Sequence, residues 1–374
     1  MINKYSDVSL VKRLELKNFR CFTKKIVTFD ERTSLIEGEN GIGKTSILEA
    51  LYYCCYLRSF RTHSPKEMIA FGAEGFFIKI DIERCEGLEV AHQQIQVGFL
   101  QGKRRVKIDG KPIASYKELM SCLRVIALTE DDMCLIKGAS QERRVFLDHA
   151  LVLEQNDYAY QLSILRQIIL TRNALLRPHH GIKKVDYHVL TEQLWDQSRI
   201  IQQAREQYIR LLKEEVARLV KRYFNDEFSL DLTYVYKKSM EPSVDLFLSA
   251  HPNLFDSEAR MGWSCFGAHQ DDLLVEYNEK GSRYFASRGQ QKLILLLIKV
   301  AQVVMLQRQS LGTIVFLLDD YMTDFDTYRA GVLLKIMQNL NVQLIFTSPT
   351  AQSMVKDKNG DSKGPTSLIL VKNL

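Results

Sequence analysis

The stretch EGENGIGKTS, Glu37 to Ser46, decides how this chain is read. It fits the pattern G-x-x-x-x-G-K-[ST] with Gly38, Gly43, Lys44 and Thr45. Glycines there let the backbone curl until successive N–H groups point inward at phosphate oxygens. SLIEG before it has strand character and TSILEALYY after it has helical character, so a helix N-terminus would face the same phosphates. In that setting Lys44 is expected to reach the β- and γ-phosphates and the Thr45 hydroxyl to hold Mg2+. A plain glycine turn that happens to carry a lysine is the competing reading. The flanking strand and helix count against it.

A phosphate loop needs a carboxylate to complete a metal site. TIVFLLDD supplies one, as a hydrophobic strand ending in Asp319 and Asp320. Asp319 is expected to orient Mg2+, directly or through water, and Asp320 to align an attacking water. A third element, ASRGQQK (Ala286 to Lys292), precedes a long apolar helix. Its hydroxyl, its glycine and the helix N-terminus make a second anion-binding end, which has a use where a nucleotide is sandwiched. The plainer alternative is a helix capped by Ser287.

Composition sets the surroundings. The chain has 374 residues, 46% hydrophobic and 26% charged, an ordinary globular composition with material for one large domain or two. The net charge of +6 permits a nucleic-acid partner without demanding one. Seven cysteines show no metal-ligand spacing and read as reduced, mostly buried thiols of a cytoplasmic protein. The first residues lack the apolar core of a signal peptide. The most apolar run, Leu293 to Leu306, is interrupted by Lys299 and is too short to cross a bilayer, so it reads as a buried helix.

Along the chain, the first hundred or so residues read as strands around one helix, with Asp109-Gly110 as a hairpin turn. From Gln141 to Phe224 the pattern is helical, with one break at RPHHGIKK (Arg177 to Lys184). Strand–helix alternation at both ends, around a helical insertion, predicts an α/β fold with a mixed sheet and an inserted lobe bearing a helical arm. Residues 1–120 with 285–374 are expected to form the first lobe and residues 121–284 the second, with the SRGQ turn at its C-terminal boundary.

Phosphate loop, SRGQ-type turn and Asp-Asp strand, in that order, resemble the P-loop ATPase head of ABC and SMC proteins. The closer resemblance is to the RecF family of bacterial recombination mediators, over nearly the whole chain. It is carried by LELKNFRCF (Leu14 to Phe22), the phosphate loop, RSFRT (Arg58 to Thr62) and LIKGASQERRVFLD (Leu135 to Asp148). RNALL (Arg172 to Leu176), LWDQ, GAHQDDL (Gly267 to Leu273), SRGQQK and LLDDYMTDFD (Leu317 to Asp326) continue it.

The resemblance implies ATP and Mg2+ as cofactors, cradled by Gly38, Asn40, Gly41, Gly43, Lys44, Thr45 and Ser46, with Arg20 contacting the nucleotide from the side. Ser287 and Gly289 would meet the γ-phosphate across an ATP-bound homodimer, with Asp324 and Asp326 at the same interface. The implied activity is an ATP-dependent clamp on gapped or single-strand–double-strand DNA that promotes recombinase loading, with slow, DNA-stimulated hydrolysis. RecR and RecO would be partners, RecA an indirect one, and no membrane is involved. Asp320, one methylene shorter than the glutamate of transporter heads, fits slow turnover. Arg58, Arg61, Arg104 and Arg105 are candidate DNA-backbone contacts, although such clusters are often solvated surface.

Three departures from the family pattern stand out. Glu130, Asp131 and Asp132 follow Thr129 where the family has Pro-Glu-Asp, and could bind Mg2+ or water. Gly267-Ala268-His269-Gln270 replaces Gly-Pro-His-Arg, losing a rigid proline and a positive charge. Thr347-Ser348 stands where transporter heads carry a switch histidine. A transporter ATPase subunit, a P-loop kinase of a small metabolite and an architectural DNA-binding protein with a degenerate ATP site remain alternatives.

Overall fold

In β1 (Leu10–Phe19) Leu14 and Leu16 alternate into the core, and Val11, beyond a register shift between Val11 and Arg13, and Phe19 are buried as well. In the computed structural model the described residues are 9–29, 31–86, 89–155, 157–176, 184–238, 241–309, 312–320, 325–348 and 367–370. They divide into two units, Met1–Asp132 with Lys299–Leu374, and Met133–Ile298.

In the first unit β1 pairs antiparallel with β2 (Phe22–Thr28). After β3 (Thr33–Glu37) and α1 (Lys44–Tyr56) the chain returns as β4 (Gly75–Glu86) on the other side of β1. β5 (Glu89–Leu100), β6 (Lys103–Ile108) and β7 (Lys111–Pro112) complete a six-stranded sheet ordered β2-β1-β4-β5-β6-β7. Asp109 and Gly110, at φ 49° and 78°, form the expected two-residue turn between β6 and β7. α2 (Tyr116–Cys122) then leads into β8 (Leu123–Leu128), all six of whose residues are buried, the mark of a strand covered on both faces.

The second unit opens with α3 (Cys134–Lys137), α4 (Ser140–Glu154), α5 (Tyr158–Leu176) and α6 (Lys184–Phe224). α6 is a single 41-residue helix packed on α5. Its apolar stripe of Leu194, Ile201, Tyr208, Leu212 and Val216 is buried. That α4 ends at Glu154 and a separate helix, α5, starts at Tyr158 was not expected. The expected one at Arg177 to Lys184 falls almost wholly outside the described residues. β9 (Leu230–Val235), α7 (Val244–Ala250), α8 (Leu254–Met261), β10 (Asp272–Tyr277), β11 (Lys280–Gly281) and α9 (Ser282–Phe285) follow, with a β11-β10-β9 sheet.

α10 (Arg288–Arg308) is longer than its apolar run, at 21 residues. It is long and apolar enough to cross a membrane, but 83% of its apolar window is buried inside the structure, as in a core helix. The first unit resumes at Lys299, within α10, and continues with β12 (Thr313–Leu318), α11 (Thr327–Asn339), β13 (Gln343–Ser348) and β14 (Ser367–Leu370). These strands join β3 and β8 in a parallel sheet ordered β14-β3-β13-β12-β8. The unit boundaries at 132/133 and 298/299 therefore lie beyond the expected 120/121 and 284/285. β8 pairs along its whole length with β12, which holds it in the first unit, and the SRGQ turn lies in the second.

Candidate functional site

The carboxyl ends of β3, β12 and β13 converge on one crevice, as parallel α/β sheets favour. β3 runs straight into the glycine loop. Gly41 and Gly43 adopt φ 83° and 103°, and a Cβ on Gly43 would fall against the Phe22 ring and the Cys21 thiol. Only glycine meets both demands. α1 starts at Lys44, so its free N–H groups face the loop. The Lys44 side chain folds back, its Nζ donating to the carbonyls of Gly38 at 2.8 Å and Glu39 at 3.1 Å.

β12 delivers Asp319 to the same place. The Thr45 hydroxyl donates to Asp319 Oδ1 at 3.0 Å. Thr347, at the end of β13, donates to that oxygen at 2.8 Å while its own oxygen accepts from the Asp320 N–H at 2.9 Å. Burial pushes the Asp319 carboxyl above its usual range; bonds from Thr347 and Thr45 pull the other way, and Asp320 adds to the rise. Asp320 sits at φ 47°, a left-handed conformation that aspartate and asparagine tolerate better than most residues.

A cavity of about 620 Å³ joins these groups. Asn40, Gly41, Gly43, Lys44, Thr45, Ser46 and Asp320 line it, together with Arg20 and Arg61. Thr45 and Asp319 are hard oxygen donors at one point, which fits Mg2+. Among the described residues no group of three His, Cys, Asp or Glu could hold a metal, so water and phosphate oxygens would have to complete its shell. The loop N–H groups, the helix end and Lys44 fit a polyphosphate.

Arg20 borders the cavity, but its guanidinium is committed. Its Nε and Nη2 grip the Glu49 carboxylate at 2.8 and 2.5 Å, and Nη1 donates to the Glu67 carbonyl at 2.8 Å. Glu49, fully buried on α1, also accepts from the Ser59 hydroxyl. Arg61, placed by its sequence among DNA contacts, lines the cavity instead and reaches Glu49 only loosely, at 3.5 Å. Arg61, Glu49 and Thr347 were not selected for this site from sequence. RSFRT signalled Arg61 without saying which way it turns.

Asp132 has partners within the protein. Its carboxylate accepts from the Thr129 N–H and pairs with Lys299 at 2.7 Å. Asp326 caps α11 by accepting from the Arg329 N–H, and Asp324 lies outside the described residues. In the second unit Ser287 and Gln290 form a reciprocal cap on α10: Gln290 N–H donates to Ser287 Oγ at 3.3 Å and Ser287 N–H to Gln290 Oε1 at 2.8 Å. Gly289 lies in that first turn. The cap is thus present at the N-terminus of α10.

Arg58 is exposed and lies over the Tyr56 ring, Arg104 donates to the Tyr53 hydroxyl, and Arg104 and Arg105 border a different cavity. In the Gly267–Gln270 segment the Gln270 amide and the His269 ring both approach the Ser264 carbonyl, so Gln270 is tied inward. Of the six described cysteines, Cys54, Cys55 and Cys122 are buried but Cys21 and Cys134 are exposed, fewer buried than expected.

Residues 10–361 match the RecF/RecN/SMC N terminal domain family. The chain belongs to this family. Within it the likeness to RecF covers nine-tenths of the chain or more. The DNA replication and repair protein RecF of Halalkalibacterium halodurans is 29% identical over 347 residues, covering 90% of this chain and 92% of its own. That of Acetivibrio thermocellus is 28% identical, covering 94% and 96%. A structure of the recombination mediator RecF with ATP, from the RecFOR pathway, has the same fold, with a TM-score of 0.80 at 22% identity over 98% of both chains. The Smc head domain of Pyrococcus furiosus is more distant, at a TM-score of 0.51 and 14% identity.

Proposed function

We propose that this chain is an ATP-dependent switch of DNA replication and repair, of RecF type. One observation carries the reading: Thr45 and Asp319, far apart in sequence, meet at 3.0 Å, and Thr45 lines a glycine-loop cavity with Lys44 and Asp320. The family membership and the replication-and-repair relatives support the same conclusion.

Lys44 would exchange the Gly38 and Glu39 carbonyls for phosphate oxygens. Thr45 and Asp319 would hold Mg2+, which supplies charge neutralisation at the phosphates. Asp320, held by Thr347, would orient the attacking water. Ser287 spends its oxygen on the cap yet keeps its proton to donate, so with Gly289 it would complete the site of a second copy in an ATP-bound homodimer. Slow, DNA-stimulated hydrolysis would time the release of gapped or single-strand–double-strand DNA. Exposed Arg58 is the arginine best placed for a DNA phosphate, since Arg61 turns to the nucleotide. RecO- and RecR-type mediators, indirectly a RecA-type recombinase, and a cytoplasmic setting complete the reading; a fold shared with a RecFOR-pathway protein supports it.

The test is fluorescence anisotropy of labelled gapped duplex at fixed salt, with ATP, ADP or neither. Tight binding should require ATP, vanish in Lys44→Met and persist longer in Asp320→Asn, whose hydrolysis should slow about a hundredfold. Binding indifferent to nucleotide in all three proteins would overturn the proposal.

A further inference from the structure

The outer edge of β6 opens on a second cavity in the first unit, of about 490 Å³. Leu57, Val106 and Ile113 give it apolar walls, and Arg104, Arg105 and Lys107 line it with cations. From Lys103 to Lys111 the sequence KRRVKIDGK carries five bases and one acid.

The backbone at this edge is as telling as the charge. β6 pairs with β5 along its length, from Leu100↔Lys103 to Ile95↔Ile108, but β7 covers only Lys107 and Ile108 on the other side. Among the described residues no strand lies beside Lys103 to Val106 there. The Asp109 N–H donates to the Gln94 carbonyl at 2.9 Å, which marks that pair as the hydrogen-bonded type. By antiparallel alternation Lys107, Arg105 and Lys103 direct their backbone groups at β5, while Val106 and Arg104 direct theirs outward. The Ile113 N–H, bonded to the Val106 carbonyl at 3.3 Å, confirms the direction. The Val106 N–H and both backbone groups of Arg104 are thus the outward ones, and both residues line the cavity.

We propose that this edge takes an extended acidic segment of a partner polypeptide. The segment adds a strand to β6, sets carboxylates against Arg105 and Lys107, and lays an apolar side chain against Leu57, Val106 and Ile113. A charged edge also discourages pairing between copies, but that needs no apolar cavity beside it. A nucleic acid could meet the cations, yet it has no amide ladder to offer Arg104 and Val106 and no aliphatic side chain for the walls. The Arg104 guanidinium is held over Tyr53 with Nε donating to its hydroxyl at 3.0 Å, leaving the outer-face cations Arg105 and Lys107 for the carboxylates.

A random-peptide phage library panned on the full chain supplies the probe, which is then synthesised with a fluorescein label. Acidic peptides with apolar residues at alternate positions should be enriched. Their affinity should fall about tenfold or more in Arg105→Glu/Lys107→Glu, whose exposed positions leave ATP binding and thermal stability unchanged. N-methylation of alternate peptide amides should abolish binding in one register, and bound peptide should slow hydrogen exchange at Arg104 and Val106. Failure to enrich acidic peptides, or indifference to N-methylation in both registers, would overturn the proposal. So would a labelled oligonucleotide that displaces the peptide and loses affinity in the same double variant, or a homodimer in sedimentation that this variant dissolves.

Discussion

Asp319 answers to two opposing demands, burial and charge. Its folded pKa is raised, chiefly by burial, above its ordinary 3.8. The stability it contributes is full below 3.8 and is lost as pH rises through the raised value, so at neutral pH the ionised carboxylate is a cost. Asp319→Asn keeps an acceptor for Thr45 and Thr347 and removes that charge. Nucleotide-free protein should therefore melt at a higher temperature at pH 7 than wild type. Wild type should gain about 2.7 kcal/mol from Mg2+-ATP at a hundred times Kd, and the variant little of it. Differential scanning fluorimetry checks both halves, and a lower melting temperature without nucleotide would refute the burial argument. Lys44, Thr45 and Asp319 were legible in the sequence because each belongs to a short motif. Thr347 was noted only for not being histidine; its role exists only where β13 ends beside β12.

At the scale of elements, the cap on α10 separates two readings of Ser287. Ser287→Ala loses the cap, worth about 1 kcal/mol, so it cannot distinguish capping from phosphate contact. Ser287→Asp keeps an acceptor for the Gln290 N–H and adds a charge the helix end favours, but it would repel a γ-phosphate. Its melting temperature should match or exceed wild type while ATP-dependent dimerisation disappears from sedimentation velocity. A dimer that survives the change would leave Ser287 as a cap alone. α5, α6 and α8 depend on a different contact: Arg172 and Glu258, both fully buried, pair at 2.6 Å, and Tyr187 donates to the same carboxylate oxygen. Glu258→Ala strands the guanidinium and should destabilise the second unit by about 3–5 kcal/mol in urea unfolding. RNALL had flagged Arg172 as a family feature. Its partner lies 86 positions away and carried no local signal.

At the scale of the whole molecule, both tryptophans, Trp195 and Trp263, lie in the second unit, so their fluorescence reports that unit. Burial, helped by Arg144, Arg172 and Arg205, pushes His269 down to about 4. A base whose folded pKa is depressed loses stability as pH falls from its ordinary 6.5 toward that value. The tryptophan-reported transition should weaken on acidification across this window, by up to about 1.4 kcal/mol per pH unit. Asp271, pushed up by burial, has the opposite sign and blunts the effect at the acid end. Urea melts at a series of pH values test this, and a His269→Gln variant should flatten the slope.

The sequence by itself determined the phosphate loop, the carboxylate strand, the helix that follows each, and the family. These follow from local periodicity and short-range backbone rules, which need no knowledge of the rest of the chain. Only the tertiary structure decided that β8 belongs with β12, that Glu49 claims Arg20, that Arg61 lines the glycine-loop cavity, and that Asp132 is spent on Lys299. Each of these is a competition for one partner among groups brought together by sheet register and burial. A buried charge takes the nearest counter-charge the fold supplies, and no sequence window contains that choice.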